Sequence, residues 1–301
     1  MTRSRFAPST TGEAHPGTFL SALLVLLDAR ARGLETVLRF EDLDPQRSSP
    51  ELLEQMRKDF EWLGLSFDLE QIQSEQSHAH ESALDALESA GVLYPCGLSR
   101  AEIRARGVRA PDGSFAIDNP NRGRALPGGW RASSEPLRVQ LPDGPFELKD
   151  ESGAHIAHEL AEYGDPVVRR RDGALSYQLA SVVDDARLSV SRVVRGRDLL
   201  AGTLVQIGIQ QLLSLPTPSY RHHFLLLERR GEKFSKLHGA IGARQLKDHY
   251  KPAELLGTLA YAAGLIDREE PVGLSELDFE WRRVAREDRE VDVEDGRLLI
   301  R

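Results

Sequence analysis

A short polar stretch near the start of the chain combines residue types that hold phosphates. The stretch RFAPSTTGEAHPGT, residues 5–18, contains two glycines, two prolines and His15, and it leads into the apolar run FLSALLVLLDARARG. Glycine lets a backbone approach a phosphate closely, and a helix N-terminus offers unpaired N–H groups and a positive dipole end. The stretch therefore predicts a phosphate-binding loop, with the spacing of neither a P-loop nor G-x-G-x-x-G. The alternative is a polar loop that caps a core helix.

A second candidate phosphate site lies late in the chain, in the stretch GEKFSKLHGA. Lys233 and Lys236 flank Ser235 between two glycines, and two lysines this close can bracket a triphosphate as mobile point charges. Such a pattern also occurs in ordinary solvated turns. Paired with the opening loop, however, it indicates a nucleotide site made from two distant parts of the chain.

The elements that must position these loops are typical of an α/β protein. Apolar residues at helical spacing predict helices over residues 18–32, 49–63 and 77–90, and each segment is followed by a glycine that can end a helix. The stretch TVLRF, between the first two helices, has the composition of a buried strand. This order of elements predicts a parallel sheet.

The middle of the chain is less regular. Residues 94–145 are rich in Gly, Pro, Asp and Asn, which indicates an insertion of loops and short strands. PFELKD and DPVVRRRDG predict strands, and then LASVVDDA, RLSVSRVVRG, a helix over residues 198–213 and YRHHFLLLE restore the α/β alternation. Beyond residue 239 we expect mostly helix, most clearly over residues 253–263.

Composition restricts the class of protein. The 301 residues, 40% hydrophobic and 29% charged, suit a globular protein of one large or two modest domains. A single cysteine, Cys96, excludes an internal disulfide and fits a reducing compartment, so we expect the cytoplasm. We find no signal sequence and no membrane span. The net charge of −8 is unevenly distributed, with a basic middle over residues 165–251 and an acidic tail over residues 267–297. This distribution suits a protein that binds phosphates at one surface. The alternative is chance clustering of solvated charges.

Together the two loops resemble the HIGH and KMSKS signatures of class I aminoacyl-tRNA synthetases, in the same order and with an insertion between them. The resemblance implies an α/β fold, a Rossmann-like catalytic domain with an inserted subdomain and a short C-terminal helical piece. It implies ATP as a substrate and His15 and Lys236 as catalytic residues. The residues that it assigns to ATP are Gly12, His15, Gly17, Thr18, Lys233, Ser235 and Lys236.

Four motifs, RFAPSTTG, LRFEDLDPQR, DGALSYQLASVVDD and RVVRGRDLL, resemble the glutamyl branch of this family, and most closely the glutamyl-queuosine tRNA(Asp) synthetases. Free glutamate presents an ammonium and two carboxylates, so its pocket needs an acid and at least one arginine. The residues that the resemblance assigns to glutamate are Arg5, Phe6, Ala7, Pro8, Ser9, Glu41, Tyr177 and Arg195. Taken singly, the two arginines could be surface charges, the tyrosine a core aromatic and the glutamate a strand-end cap.

The chain departs from the family pattern at two places. Thr18 replaces the second histidine of the HIGH signature and Pro16 replaces an apolar residue; we expect both to be tolerated, since proline is favoured at the first position of a helix. Relatives commonly carry zinc ligands in the insertion, whereas this chain keeps Cys96 and has Leu98 at the place of the second cysteine. Because a structural zinc wants four Cys or His ligands, we expect no zinc and no protein metal site.

The resemblance predicts residues 1–93 and 146–240 as two halves of the catalytic domain, 94–145 as the inserted subdomain and 241–301 as a helical C-terminal subdomain with an acidic tail, without an anticodon-binding domain. The implied reaction is ATP-dependent activation of L-glutamate, with Mg²⁺ on the pyrophosphate, and transfer to queuosine at the wobble position of tRNA(Asp). We expect a monomer that binds the anticodon stem-loop. The residues expected to contact its phosphates are Arg169, Arg170, Arg171, Arg192 and Arg197.

Three other functions stay open. The chain could charge tRNA(Glu), or be a catalytically inactive RNA-binding paralogue, although such a paralogue would predict damaged signatures and both lysines are present. Small adenylyltransferases such as pantothenate synthetase have similar loops, but their pocket does not explain YQLASVVDD together with VVRG. Pyrophosphate exchange with glutamate separates a glutamate-activating enzyme from an adenylyltransferase and from an inactive paralogue.

Overall fold

The computed structural model describes residues 2–228, the backbone of residues 232–233, and residues 241–301. The helices in these residues are α1 (Pro16–Arg32), α2 (Pro50–Trp62), α3 (Ser77–Ser89), α4 (Arg100–Arg106), α5 (Tyr177–Arg187), α6 (Thr203–Leu212), α7 (Ala243–His249) and α8 (Pro252–Ala262). The strands are β1 (Arg3–Phe6), β2 (Glu35–Phe40), β3 (Leu69–Ile72), β4 (Leu93–Pro95), β5 (Val108–Arg109), β6 (Phe115–Ala116), β7 (Leu137–Val139), β8 (Pro145–Lys149), β9 (His155–Glu159), β10 (Val167–Arg169), β11 (Val190–Gly196), β12 (Ser219–His223), β13 (Leu226–Glu228), β14 (Glu232–Lys233), β15 (Arg289–Glu294) and β16 (Arg297–Ile300).

The largest sheet in the described part of the chain has five strands in the order β12-β11-β1-β2-β3. β1 pairs in parallel with β2, with Arg5 opposite Val37, and β2 pairs in parallel with β3. α1 connects the first pair of strands and α2 the second, so the start of the chain forms two βαβ units. The predicted α/β fold with a parallel sheet is confirmed.

The first three helices end where the sequence predicts. Gly33, Gly64 and Gly91 have φ values of 62°, 73° and 71°, in the left-handed region that glycine enters at little cost. α1 begins at Pro16 rather than at residue 18, because proline is favoured in the first helical turn and His15 has the extended backbone of an N-cap residue.

The chain divides into two compact units. The first consists of Met1–Ile72, Arg192–Asp198 and Tyr220–Arg301, and the second of Gln73–Ser191 and Leu199–Ser219. Each unit combines segments that lie far apart in the sequence.

The core of the first unit is built around α1, where Phe19, Leu23 and Leu27 are fully buried. Phe60 of α2 packs edge-on against Phe6 of β1, with 5.5 Å between the ring centroids, and edge-on against Phe19 at 6.0 Å. This packing fixes the start of α1 against the end of β1, where the predicted phosphate loop lies.

The second unit is mainly antiparallel, with the sheet β10-β7-β4 and the hairpins β5-β6 and β8-β9. LASVVDDA lies in α5, whose buried Asp184 fixes the helix to its surroundings. The Asp184 carboxylate accepts a hydrogen bond from Gln73 Nε2 at 2.8 Å and lies 3.0 Å from His80 Nε2.

The end of the chain corrects the expectation of a mostly helical C-terminal piece. After α7 and α8, residues 289–300 form the β15-β16 hairpin, and β15 pairs in parallel with β13. Asp295 and Gly296 have φ values of 47° and 75°, the two positive values that a two-residue type I′ hairpin turn requires. The alternation in EVDVEDGRLLI and its Asp-Gly pair are hairpin signals that the sequence analysis missed.

The helix predicted over residues 198–213 is also shorter than expected. Residues 197–199 form a single 3-10 turn, and α6 begins only at Thr203. Gly202, directly before α6, explains the late start because glycine disfavours the helix interior.

Candidate active site

The ends of β1 and β2 bring together two of the residues assigned to glutamate. Ser9 and Glu41 form an isolated parallel bridge just beyond these strands. The Glu41 N–H donates to the Pro8 carbonyl at 3.0 Å, and the Thr10 N–H donates to the Glu41 carbonyl at 3.1 Å. Ligands of open α/β sheets bind outside the carboxyl ends of the strands, which is where both side chains lie.

Arg39 holds the Glu41 carboxylate and was missed in the sequence. Its Nη2 lies 3.1 Å from Glu41 Oε1, and its side chain is fully buried. The side chain of Glu41 is 12% exposed, so a buried positive charge and a nearly buried carboxylate are paired. Residues two apart on a strand share a face of the sheet, which is the sequence signal for this pair.

The two arginines assigned to glutamate are buried, so they are not surface charges. Arg5 in β1 is 3% exposed and Arg195 in β11, the neighbouring strand, is 6% exposed. Arg195 Nε donates to His222 Nε2 at 3.0 Å, and its guanidinium lies 5.3 Å from the centroid of the Tyr220 ring. Because a guanidinium can only donate, His222 Nε2 is the acceptor in this contact.

Tyr220 and His222 were also missed in the sequence. Their rings stack with centroids 6.2 Å apart and 11° between the planes. Both lie on β12 and are buried, with Tyr220 3% and His222 4% exposed. Their alternating positions in YRHHF place them on one face of the strand, beside Arg195.

The opening loop both caps α1 and places a histidine beside a glycine. The His15 N–H donates to Thr18 Oγ1 at 3.4 Å, and the Thr18 N–H donates to the His15 carbonyl at 2.8 Å. A Cβ atom at Gly17 would lie 3.1 Å from His15 Cε1, so the histidine ring lies against this glycine. The loop therefore does cap α1, as the alternative interpretation states. A capped N-terminus can still bind a phosphate through its remaining N–H groups.

The second loop lies largely outside the described residues. Ser235 and Lys236 are not among them, and Lys233 is described only as part of β14, through its backbone pairing with Leu227.

Tyr177 is the first residue of α5 in the second unit and is 38% exposed, so it is not a core aromatic. It lines a cavity of about 770 Å³, which we call the Tyr177 cavity. The cavity is lined by Cys96, Leu98, Ser99, Arg100, Ile103, Pro136, Arg138, Val167, Arg170, Arg171, Asp172, Leu175, Ser176 and Tyr177.

One of the arginines expected to contact RNA phosphates, Arg192, is buried against an acid, which corrects the prediction for this residue. Arg192 is 2% exposed and forms a bidentate salt bridge with Asp28. Its Nε donates to Oδ2 at 2.9 Å and its Nη2 donates to Oδ1 at 3.1 Å. Trp281 Nε1 donates to the same carboxylate at 2.5 Å. Arg197 Nη2 lies 2.5 Å from Asp288 Oδ2, but the Arg197 side chain is 42% exposed, so its contact with RNA stays a prediction.

This environment changes the acidity of Asp28. Burial by itself raises the pKa of its carboxyl, but the hydrogen bonds from Arg192 and Trp281 and the charges of Arg192 and Arg32 outweigh that effect. The pKa of Asp28 therefore lies below its ordinary value.

Neither a metal site nor a membrane segment is found in the part of the chain that the structure describes. No three His, Cys, Asp or Glu side chains in that part gather as metal ligands. Cys96 is buried, and its N–H donates to the Pro136 carbonyl at 2.9 Å. No helix in the same residues is long and apolar enough to cross a membrane.

Comparison with known sequences identifies the family. Residues 1–265 match the family described as tRNA synthetases class I (E and Q), catalytic domain. A glutamyl-Q tRNA(Asp) synthetase of Symbiobacterium thermophilum is 37% identical over 98% of this chain and 97% of its own length. A protein of the same name from Geobacter sulfurreducens is 42% identical over 81% of this chain and 78% of its own length.

Solved structures show the same fold. A glutamate tRNA ligase from Elizabethkingia meningosepticum, in complex with its amino acid, superposes on 96% of this chain with a TM-score of 0.79 and 23% identity. This chain spans 66% of the length of that ligase. From the match over residues 1–265 and from the identity with these relatives, the chain belongs to the class I tRNA synthetases of the E and Q family.

Proposed function

We propose that this chain activates L-glutamate with ATP and transfers it to queuosine at the wobble position of tRNA(Asp). The observation that carries the proposal is the charge arrangement in the first unit. Glutamate carries two carboxylates and one ammonium, and the first unit has buried Arg5 and Arg195 on neighbouring strands and Glu41 at the adjacent strand end. These charges are complementary to those of the ligand.

The proposed roles follow from that complementarity. Arg195, oriented by His222, binds a glutamate carboxylate, and Glu41, oriented by Arg39, binds the ammonium. Arg5, Phe6, Ala7, Pro8 and Ser9 form the wall of the glutamate site at the end of β1. Tyr177, in the second unit, is proposed as a glutamate contact on the family resemblance alone. The names of the relatives, which include glutamyl-Q tRNA(Asp), support glutamate as the substrate and tRNA(Asp) as the acceptor.

ATP is the second substrate, as in other class I synthetases. We propose that the N-terminus of α1, with Gly12, His15, Gly17 and Thr18, and the loop with Lys233, Ser235 and Lys236 bind its phosphates. The described residues offer no carboxylate cluster for Mg²⁺. We therefore expect magnesium to be held mainly by the nucleotide's phosphates.

The reaction has two steps. A carboxylate oxygen of glutamate attacks the α-phosphorus of ATP and pyrophosphate leaves; then a hydroxyl of the queuosine ring attacks the carbonyl of the mixed anhydride and AMP leaves. The protein forms no covalent bond. Its contribution is positioning and stabilisation of the developing phosphate charge, for which His15 and Lys236 are proposed. The single cysteine suits the reducing cytoplasm, where this reaction would take place.

The experiment is a transfer assay with radiolabelled glutamate and purified tRNAs. We expect labelling of queuosine-containing tRNA(Asp), loss of labelling after periodate destroys the queuosine diol, and no labelling of the 3′ end of tRNA(Glu). Equal labelling of unmodified tRNA(Asp), or efficient charging of tRNA(Glu), would contradict the proposal and indicate an ordinary glutamyl-tRNA synthetase. An inactive RNA-binding paralogue would label neither.

A further inference from the structure

The Tyr177 cavity is larger than a single amino acid requires. Its volume is about 770 Å³, near the upper part of the range of roughly 300–1,000 Å³ found for pockets that enclose drug-sized ligands. A single amino acid would leave most of it unfilled. A nucleoside has the size of such a ligand, and one wall of the cavity is Tyr177, which the family resemblance assigns to glutamate.

The walls of the cavity suit a nucleobase. Leu98, Ile103, Pro136, Val167 and Leu175 provide an apolar surface, and Tyr177 adds a half-exposed aromatic ring. Unstacked bases of single-stranded RNA are held by such aromatic and apolar surfaces, which do not depend on the base sequence.

The charges around the cavity suit phosphates. Its lining contains four arginines and one acid, Asp172. Arg138 donates to the backbone carbonyl of Asp165, and Arg170 pairs with Asp172 at 2.5 Å. Arg100 and Arg171 are exposed, and within the described residues neither forms an ion pair. Two uncompensated guanidinium groups beside an apolar cavity favour a ligand that is part planar and part anionic.

We infer that the Tyr177 cavity binds one unpaired nucleotide of the RNA substrate, with its base against the apolar wall and the flanking phosphates on Arg100 and Arg171. The identification of the ligand as RNA rests on the proposed function. The assignment also replaces the phosphate contact that Arg192 was expected to make.

The test measures binding and chemistry separately. The full-length chain is titrated against a fluorescently labelled RNA hairpin with the anticodon loop of tRNA(Asp), and anisotropy gives the Kd at several salt concentrations. The double variant Arg100→Ala/Arg171→Ala is expected to bind about tenfold more weakly, with the slope of log Kd against log salt reduced by about two. The matched control is Arg104→Ala/Arg106→Ala, which removes two exposed arginines of α4 that do not line the cavity; its Kd should equal that of the unmodified chain.

A cavity-filling variant distinguishes binding of a nucleotide inside the cavity from binding of RNA to a basic surface around it. Ile103→Trp fills the cavity without changing charge, and it should weaken binding of the hairpin while leaving binding of a blunt RNA duplex unchanged. Thermal melting checks that each variant is folded. Equal affinity of the double variant and the control, full affinity of Ile103→Trp, or no binding by the unmodified chain would each overturn the inference. Glutamate-dependent pyrophosphate exchange is measured in parallel without RNA; if exchange fails while the arginine dependence holds, the proposed function is wrong and the nucleotide site stands.

Discussion

The arginines of the first unit and those of the Tyr177 cavity are held in different ways. Arg39, Arg192 and Arg195 are buried, and each is oriented by another side chain: Glu41, Asp28 and His222 respectively. Arg100 and Arg171 are exposed and, in the described part of the chain, form no ion pair. The guanidinium groups of the first unit are oriented before any substrate binds, which suits a small substrate of fixed geometry. The exposed guanidinium groups of the Tyr177 cavity can move, which suits a large polyanion that adapts to its site.

The largest effect is expected where a buried pair is broken. Asp28→Asn leaves the buried Arg192 without its compensating charge, and we expect a loss of about 3–5 kcal/mol in the free energy of unfolding, measured by urea denaturation. Glu270→Gln is the control, because it breaks the pair with Arg268, whose side chain is 82% exposed, and should cost less than about 1 kcal/mol. Similar losses of unfolding free energy in both variants would contradict the claim that the buried pair stabilises the chain more than the exposed one.

The same carboxylate predicts a pH dependence. The pKa of Asp28 is lowered from its ordinary value of 3.8, so its charge contributes stability above that pH, and the contribution is lost as the pH falls through the pKa of the folded state. The difference in unfolding free energy between the unmodified chain and Asp28→Asn should therefore be constant near neutral pH and shrink below pH 3.8. A difference that grows on acidification would contradict the assigned direction.

The next effect concerns substrate affinity. Arg195→Ala removes the cation proposed to face a glutamate carboxylate, and losing one partner of such a buried pair costs about 2–5 kcal/mol. The KM for glutamate in pyrophosphate exchange should rise at least about thirtyfold, while the KM for ATP stays within about twofold. An unchanged KM for glutamate would remove Arg195 from the site.

A smaller effect is expected from His222, which positions Arg195 without touching substrate. His222→Ala should raise the KM for glutamate about tenfold with little change in kcat, and His222→Gln should recover part of it, because its carbonyl can accept from Arg195 Nε. His223→Ala is the control, since His223 Nε2 lies 3.0 Å from Ser21 Oγ and is not proposed to bind glutamate. Equal effects of the alanine and glutamine variants would indicate a general loss of packing.

The smallest effect is expected at Cys96, on the wall of the Tyr177 cavity. We expect the purified chain to contain no stoichiometric zinc, so Cys96→Ser should leave its metal content unchanged. Elemental analysis decides the matter. One zinc per chain that disappears in the variant would show that Cys96 belongs to a metal site and would contradict the prediction.

The sequence predicted elements whose signals are local. α1, α2 and α3 were found because apolar residues recur at helical spacing and Gly33, Gly64 and Gly91 follow. The β15-β16 hairpin also has local signals, the alternation of its strands and the Asp295-Gly296 turn, and the prediction of a mostly helical end did not use them.

Two of the buried side-chain pairs could not be predicted, because they join residues far apart in the sequence. Arg192 and Asp28 are 164 residues apart, and Arg195 and His222 are 27 apart. Composition indicated a basic segment but could not show which arginines are buried against an acid. The resemblance indicated the residues assigned to glutamate. It gave no role to Arg39, although Arg39 lies within the motif LRFEDLDPQR, and Tyr220 and His222 lie outside the four motifs.

The central claim is that the charges of the first unit select glutamate. It is tested most directly by ATP–pyrophosphate exchange in the absence of RNA, with glutamate, glutamine and aspartate compared at equal concentrations. Glutamine has the shape of glutamate but lacks the side-chain carboxylate, and aspartate has the carboxylate on a shorter chain. We predict exchange with glutamate and at most about one hundredth of that rate with the other two. Equal exchange with glutamine, or none with glutamate, would contradict the account.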